Sequence, residues 1–218
     1  HRVDRRQRQM CIRDSFSISL VACGSSSKNE STKVDDTNSS TPDTGVELVD
    51  NSGSADYKII IYGNSHSARL GDLLEQLISS ELTNAQVSTL TVSGRFLDEI
   101  VNTSGNIEKL QQANWSHAIF QGQKYSQSGS VNYSTSEAER LIASAKELEI
   151  TPILFPEHPQ QGDSKEGELV YQLHLSISEK EVSCVAPIGL VWDKAIAALP
   201  ELNFYSADGN HASDAGHL

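Results

Sequence analysis

The chain is predicted to be an α/β protein, a three-layer α/β/α sandwich around a five-stranded parallel sheet. Two observations predict it. From residue 56 onward, apolar runs alternate with amphipathic helical patterns five times over, which is the signature of a parallel sheet covered on both faces. The first run, Ile59-Ile60-Ile61, is β-branched and continuously apolar, stops at Gly63, and is followed at once by a helical pattern. Crossovers in such a sheet are right-handed almost without exception. No internal repeat is visible, and about 160 residues make one domain.

Strand candidates are residues 58–62, 86–92, 117–121, 152–155 and 182–186. Helical stretches at 68–80, 107–112, 135–149, 166–178 and 188–199 separate or follow them. The first helix is carried by Leu70, Leu73, Leu74, Leu77 and Ile78. In the third, Ala138, Leu141, Ile142, Ala145 and Leu148 form one stripe while Glu137, Arg140 and Glu147 occupy another face. Residues 213–218 read as the start of a helix, with Ser213 as its N-cap.

Ahead of the domain, residues 1–14 are basic, without helical or strand period, and contrast with an otherwise acidic chain; they read as a non-native segment and are set aside. Residues 15–23 follow as a short apolar run ending in Leu20-Val21-Ala22-Cys23, which resembles a bacterial lipobox, where a leader is cut before a lipid-bearing cysteine. The run is shorter than the roughly 20 residues that span a bilayer. Residues 24–55 are rich in Ser, Thr, Asp, Asn and Gly and are expected to be a disordered tether. Together these segments imply an extracytoplasmic protein of a bacterial envelope, attached to a membrane through lipid on Cys23.

The formal net charge of −12 argues against nucleic acid as a partner, which needs clustered Lys and Arg. The three cysteines, Cys11, Cys23 and Cys184, show neither a disulfide framework nor zinc-ligand spacing, and Cys184 is expected to be a buried small apolar residue. No phosphate loop, metal cluster or dinucleotide fingerprint is present, so no cofactor and no metal is expected.

The chemistry concentrates at two places. Gly63-Asn64-Ser65 follows the first strand, where a strand-to-helix turn holds a side chain at the carboxyl edge of the sheet. Asp208-Gly209-Asn210-His211 places a histidine three residues after an aspartate. A serine hydroxyl needs a base, and an imidazole oriented by a carboxylate supplies one. Ser65 also suits helix capping, and the two roles are compatible. Of the other histidines, His66 and His158 are candidates for the cleft, while His117 and His174 are assigned structural or surface positions.

These two segments resemble the first and last sequence blocks of the SGNH (GDSL-like) hydrolases, which read Gly-Asp-Ser and Asp-x-x-His. Asn64 stands where the family usually has aspartate, and a structural role is expected for it. The resemblance covers roughly residues 56–218 and implies a flavodoxin-like fold. It further implies a catalytic triad of Ser65, Asp208 and His211, with a final helix missing from the fragment. It also implies an oxyanion hole built from the Ser65 N–H, the Gly94 N–H in Val92-Ser93-Gly94, and a side-chain amide. The family's third block carries an asparagine there, whereas this chain reads Phe120-Gln121-Gly122-Gln123-Lys124. Gln123 is the preferred substitute and Gln121 the alternative. The implied activity is hydrolysis of an ester through an acyl-enzyme. The polar stretches 126–133 and 157–165 favour an acylated carbohydrate over a long acyl chain. The alternatives are an O-acyltransferase on the same scaffold and a catalytically silent carbohydrate-binding lipoprotein.

Overall fold

The structure is a computed structural model, which describes residues 47–217. The segments 1–14 and 15–23 and most of the tether, with Cys11 and Cys23, lie outside the described residues. Five strands form one parallel sheet: β1 (Asp56–Gly63), β2 (Gln86–Ser93), β3 (His117–Phe120), β4 (Thr151–Leu154) and β5 (Cys184–Val185). Their order is β2-β1-β3-β4-β5. β1 sits between β2 in one direction and β3 in the other, pairing Ile61 with both Thr91 and Ile119. The chain therefore reverses its direction of travel across the sheet beside β1, and the cleft outside the carboxyl ends of the strands opens there.

Helices cover both faces. On one, α1 (Leu70–Glu81) lays Leu74 and Ile78 on Ile59, Ile61 and Ile119. On the other, α2 (Leu97–Asn102) and α3 (Ser136–Glu147) bury Leu97, Ile100, Leu141 and Ile142 against Ile60, Tyr62 and Phe120, joined by Ile177 from α4 (Glu166–Ser178). Successive side chains from Ile59 to Tyr62 thus serve opposite layers, and this part of β1 is continuously buried because both faces are covered. Each such fully buried side chain stabilises the fold by about 1.5–3 kcal/mol. The Tyr62 hydroxyl, inside this core, donates to the Asn106 carbonyl at 2.8 Å, and burial pushes its phenol above its ordinary range. α5 (Ile188–Ala198) packs along α4, with Gly167 and Gly189 at the contact. α6 (Asp214–His217) follows Ser213, whose hydroxyl accepts the Gly216 N–H. No helix among the described residues is long and apolar enough to cross a membrane.

Four details differ from the sequence expectation. α2 is absent from it, because six residues are too few to show a helical period. Residues 107–112 form a short 3-10 helix, Ile107–Gln111. Cys184 is only partly buried, since β5 is a two-residue edge strand. Residues 47–55, assigned to the tether, include Asn51, whose side chain donates to the carbonyls of Ser116 and Glu149 and whose N–H donates to Thr151 Oγ1. The polar composition there serves to fasten the chain to the lower edge of β3 and β4.

Candidate active site

The β1 strand ends at Gly63, and the chain turns through a single 3-10 turn, Ser65–Ser67, before α1. Gly63 is required by space. A Cβ there would collide with Ser67 Oγ, which folds back to donate to the Asn64 carbonyl at 3.1 Å, and would sit 2.7 Å from Gln121 Oε1. Asn64 caps the turn, its Oδ1 accepting the His66 N–H at 3.0 Å. Ser65 is left exposed at the sheet's carboxyl edge.

At the other end of the chain, an antiparallel bridge between Tyr205 and Ala212 closes the loop that carries Asp208 and His211. His211 Nε2 lies 2.8 Å from Ser65 Oγ, and His211 Nδ1 lies 2.6 Å from Asp208 Oδ2. Residues 146 positions apart in sequence therefore meet in one hydrogen-bonded line. Asp208 Oδ1 accepts three further bonds, from the His211 N–H and the Asn210 N–H at 2.9 Å each and from the Ser206 hydroxyl at 2.7 Å. The bond from the His211 backbone, with those from Ser206 and Asn210, holds this carboxyl far below the usual carboxylate range. An ionised Asp208 in turn keeps a proton on Nδ1 and leaves Nε2 as the acceptor facing the serine.

Behind His211 stands His66, its ring stacked at 4.7 Å and 16°. Burial, then the nearby His211, lowers its pKa to about 4, so it is neutral at ordinary pH. His158 meets His66 edge-on and stacks on Trp192 at 4.0 Å. Of the two histidines expected at the cleft, His66 lines it and His158 is buried one layer behind. His117 and His174 are both buried, the first stacked on Tyr57 and the second bonded to the Val170 carbonyl.

The oxyanion donors expected from the sequence fare differently. Gln123 does not reach Ser65: its amide donates to the carbonyls of Lys124 and Ser134, both at 3.0 Å, pinning the loop beyond β3. Gly122, with φ of +93°, turns the chain between the two glutamines and sends Gln123 that way. The Gly94 N–H is also committed, to the Gly63 carbonyl at 3.0 Å, where it extends the β1–β2 pairing past the strand ends. No acceptor among the described residues takes the Ser65 N–H.

Gln121 and Glu157 form a brace that sequence reasoning missed. Gln121 Oε1 accepts the Asn64 N–H at 2.7 Å, and its amide donates to Glu157 Oε1 at 2.8 Å. Asn64 Nδ2 donates to the same carboxylate oxygen at 3.0 Å and to the Arg95 carbonyl at 3.1 Å. Burial raises the Glu157 pKa, and the two amides oppose that rise. The turn after β1 thus carries Asn64 where the resembled family has aspartate, and the carboxylate is supplied by Glu157, three residues beyond the end of β4. An acidic residue three positions past the end of a strand, at the sheet edge that also carries the serine, is the signal that could have found it.

Ser65 and His211 open onto a cavity of about 920 Å³, whose far wall is the segment from Tyr125 to Tyr133. That segment is held by Glu166 at the start of α4, which accepts the Tyr125 hydroxyl at 2.6 Å and the Gln127 amide at 3.0 Å. Serine hydroxyls, glutamine amides and two tyrosines dominate the lining. Among the described residues, no three His, Cys, Asp or Glu side chains converge as a metal site would.

No protein-family model matches the chain, and no curated protein matches it by sequence. Solved structures do match. A protein of Slackia heliotrinireducens, described as a candidate SGNH hydrolase, superposes with a TM-score of 0.51 at 19% identity over 74% of this chain and 93% of its own. The psychrotrophic esterase of a Pseudoalteromonas species, solved inhibited by monoethylphosphonate, gives 0.53 at 15% identity over 74% and 91%. A catalytic mutant of an acetylxylan esterase from Geobacillus stearothermophilus gives 0.57 at 13% identity over 74% and 89%. With its strand order, its two helical layers and the placement of its terminal blocks, the chain has the SGNH-hydrolase fold.

Proposed function

We propose that this protein hydrolyses carboxylic esters through an acyl-enzyme on Ser65. The single observation that carries the reading is the unbroken line from Ser65 Oγ through His211 to Asp208, at 2.8 and 2.6 Å, opening onto a cavity. His211 Nε2 takes the hydroxyl proton as Ser65 Oγ attacks the ester carbon. The Ser65 N–H is the donor left to meet the developing oxyanion. Collapse breaks the bond to the alcohol, which leaves with the proton from His211. Water then attacks the acyl carbon and gives a proton to the same nitrogen; collapse breaks the bond to Ser65 Oγ, which takes that proton back from His211 as the acid is released. Asp208 stays ionised throughout and stabilises the imidazolium.

An acylated carbohydrate is the substrate this cavity suits. Its wall of hydroxyls, amides and tyrosine rings offers hydrogen bonds and flat stacking surfaces, where a long acyl chain would need a continuous apolar groove. The acetylxylan esterase among the structural neighbours is consistent with that class. For the segment outside the described residues, the lipobox motif ending at Cys23 supports membrane attachment. A Cys23→Ser variant expressed with its leader would then leave the membrane fraction.

The commitment of the Gly94 and Gln123 donors to other partners favours one rival, a binding protein that has kept the triad and lost catalysis. Fluorophosphonate labelling with mass-spectrometric mapping separates the two. An adduct on Ser65 that disappears in His211→Ala establishes an activated serine, whereas an unlabelled Ser65 overturns the hydrolase reading.

A further inference from the structure

Among the described residues, Arg95 is the one Lys or Arg that lines the cavity, and its carbonyl accepts from Asn64 Nδ2 beside the Ser65 turn. The described residues contain three arginines. Arg69 is paired with Asp214 and Arg140 with Glu137, while Arg95 pairs with no carboxylate among the described residues. The two acids that follow it closely in sequence are taken by another cation. Lys124 Nζ lies 2.8 Å from Asp98 and 3.3 Å from Glu99. Lys124 also sits over the Phe96 ring at 4.8 Å, and the Arg95 guanidinium holds its own place against that ring at 5.2 Å. The cavity's own carboxylate, Glu157, is turned to the amides of Asn64 and Gln121. An exposed guanidinium stacked on an aromatic face, with its fork of N–H donors unspent, is suited to bidentate recognition of a planar anion. In a chain of net charge −12, such a cation counters a field that would otherwise repel an acidic ligand.

We infer that Arg95, backed by Phe96, forms a carboxylate subsite, and that the substrate is an acyl ester of an acidic saccharide such as a uronic acid. The inference rests on the ester-hydrolase reading and narrows it. The sugar ring lies against the tyrosine-lined wall, its carboxylate on Arg95 and its acyl group over Ser65.

A matched pair of substrates tests it: the methyl glycosides of O-acetylated galacturonic acid and of O-acetylated galactose, which share the ring and differ at the carboxylate. At low salt the wild-type protein should prefer the acidic ester by about 10- to 100-fold in kcat/KM, the weight of one charge-assisted contact. The difference should lie mainly in KM and should shrink as salt is raised. Arg95→Gln should bring the preference close to one, with Arg95→Lys in between. Calorimetric titration with deacetylated oligogalacturonate and with a neutral galactan oligosaccharide keeps the subsite separate from the chemistry. Arg95-dependent binding of the acidic ligand without turnover of either ester would sink the hydrolase reading and leave the subsite standing. Turnover or binding with no acid preference, or a preference that survives Arg95→Gln, would overturn the subsite. Inorganic phosphate competing better than galacturonate would overturn its assignment to a carboxylate.

Discussion

Replacing Asp208 by asparagine tests the electrostatic design of the site while changing its shape little. Asp208 uses both oxygens: Oδ2 accepts a hydrogen bond from His211 Nδ1–H, and Oδ1 accepts from two backbone N–H groups and the Ser206 hydroxyl. An asparagine has one acceptor atom and one donor group, so it must fail on one side. With its oxygen toward the two N–H groups, its NH₂ faces His211 Nδ1 and forces the proton onto Nε2, which then donates to Ser65 where it should accept. With the amide reversed, its NH₂ points at two N–H groups that have no other partner, and the loop that carries His211 is pushed apart. The same swap in a serine-protease triad costs about ten-thousandfold in kcat. A comparable loss is expected here, because the wrong tautomer removes the base and leaves only binding and the Ser65 N–H. Asp208 is exposed, so the thermal midpoint should stay close to that of the parent. Turnover of 4-nitrophenyl acetate and the rate of fluorophosphonate labelling should fall together. Ser206→Ala, which removes one of the four bonds, should cost only a few-fold. An asparagine variant that keeps more than about a tenth of the labelling rate, with an intact fold, would refute the assignment of Asp208 as the group that sets the tautomer.

Gln123→Ala should change kcat by less than about threefold, because its amide serves the loop and not the oxyanion; a loss near the hundredfold or more expected for a removed donor would reinstate it. Gln121→Ala should orphan the Asn64 N–H and one contact of Glu157, lowering the melting temperature by about 5–10 °C and activity with it, as differential scanning fluorimetry and ester turnover would show. Gly63→Ala should destabilise by about 1–3 kcal/mol and cut kcat, since its methyl group drives into Ser67; unchanged activity in a fully folded variant would contradict the packing of the turn. His174 is buried with its pKa lowered from 6.5 to about 4, so the unfolded chain takes up a proton that the folded one refuses between those values. Stability should therefore fall as pH drops from about 6.5 to about 4, by roughly 3 kcal/mol at most from this residue, and level off below; denaturant titrations of His174→Gln should show a shallower slope.

The sheet was legible in the sequence because periodicity is local. Ile59, Ile60 and Ile61 could serve only a strand covered on both sides, and Ala138, Leu141, Ile142 and Ala145 only one face of a helix, so five strands and their crossovers could be read along the chain. Ser65, Asp208 and His211 were legible for a related reason: each sits in a short motif whose chemistry depends on its neighbours. Where side chains point after the chain turns was not legible. Gln121 and Gln123 are chemically identical and two positions apart, and the left-handed Gly122 between them sends one side chain to the Ser65 turn and the other back onto the loop that follows β3. Gly94 carries a suitable N–H, but the pairing of β1 with β2 continues one residue beyond the strands and consumes it. Glu157 and Arg95 are single charged residues in loops, and only the folding of distant segments decides that one is tied down by amides while the other remains unpaired. Local pattern determined the layers and picked out Ser65, Asp208 and His211 as candidates. The tertiary structure decided which hydrogen-bonding groups are already spent, because that depends on partners brought together from opposite ends of the chain.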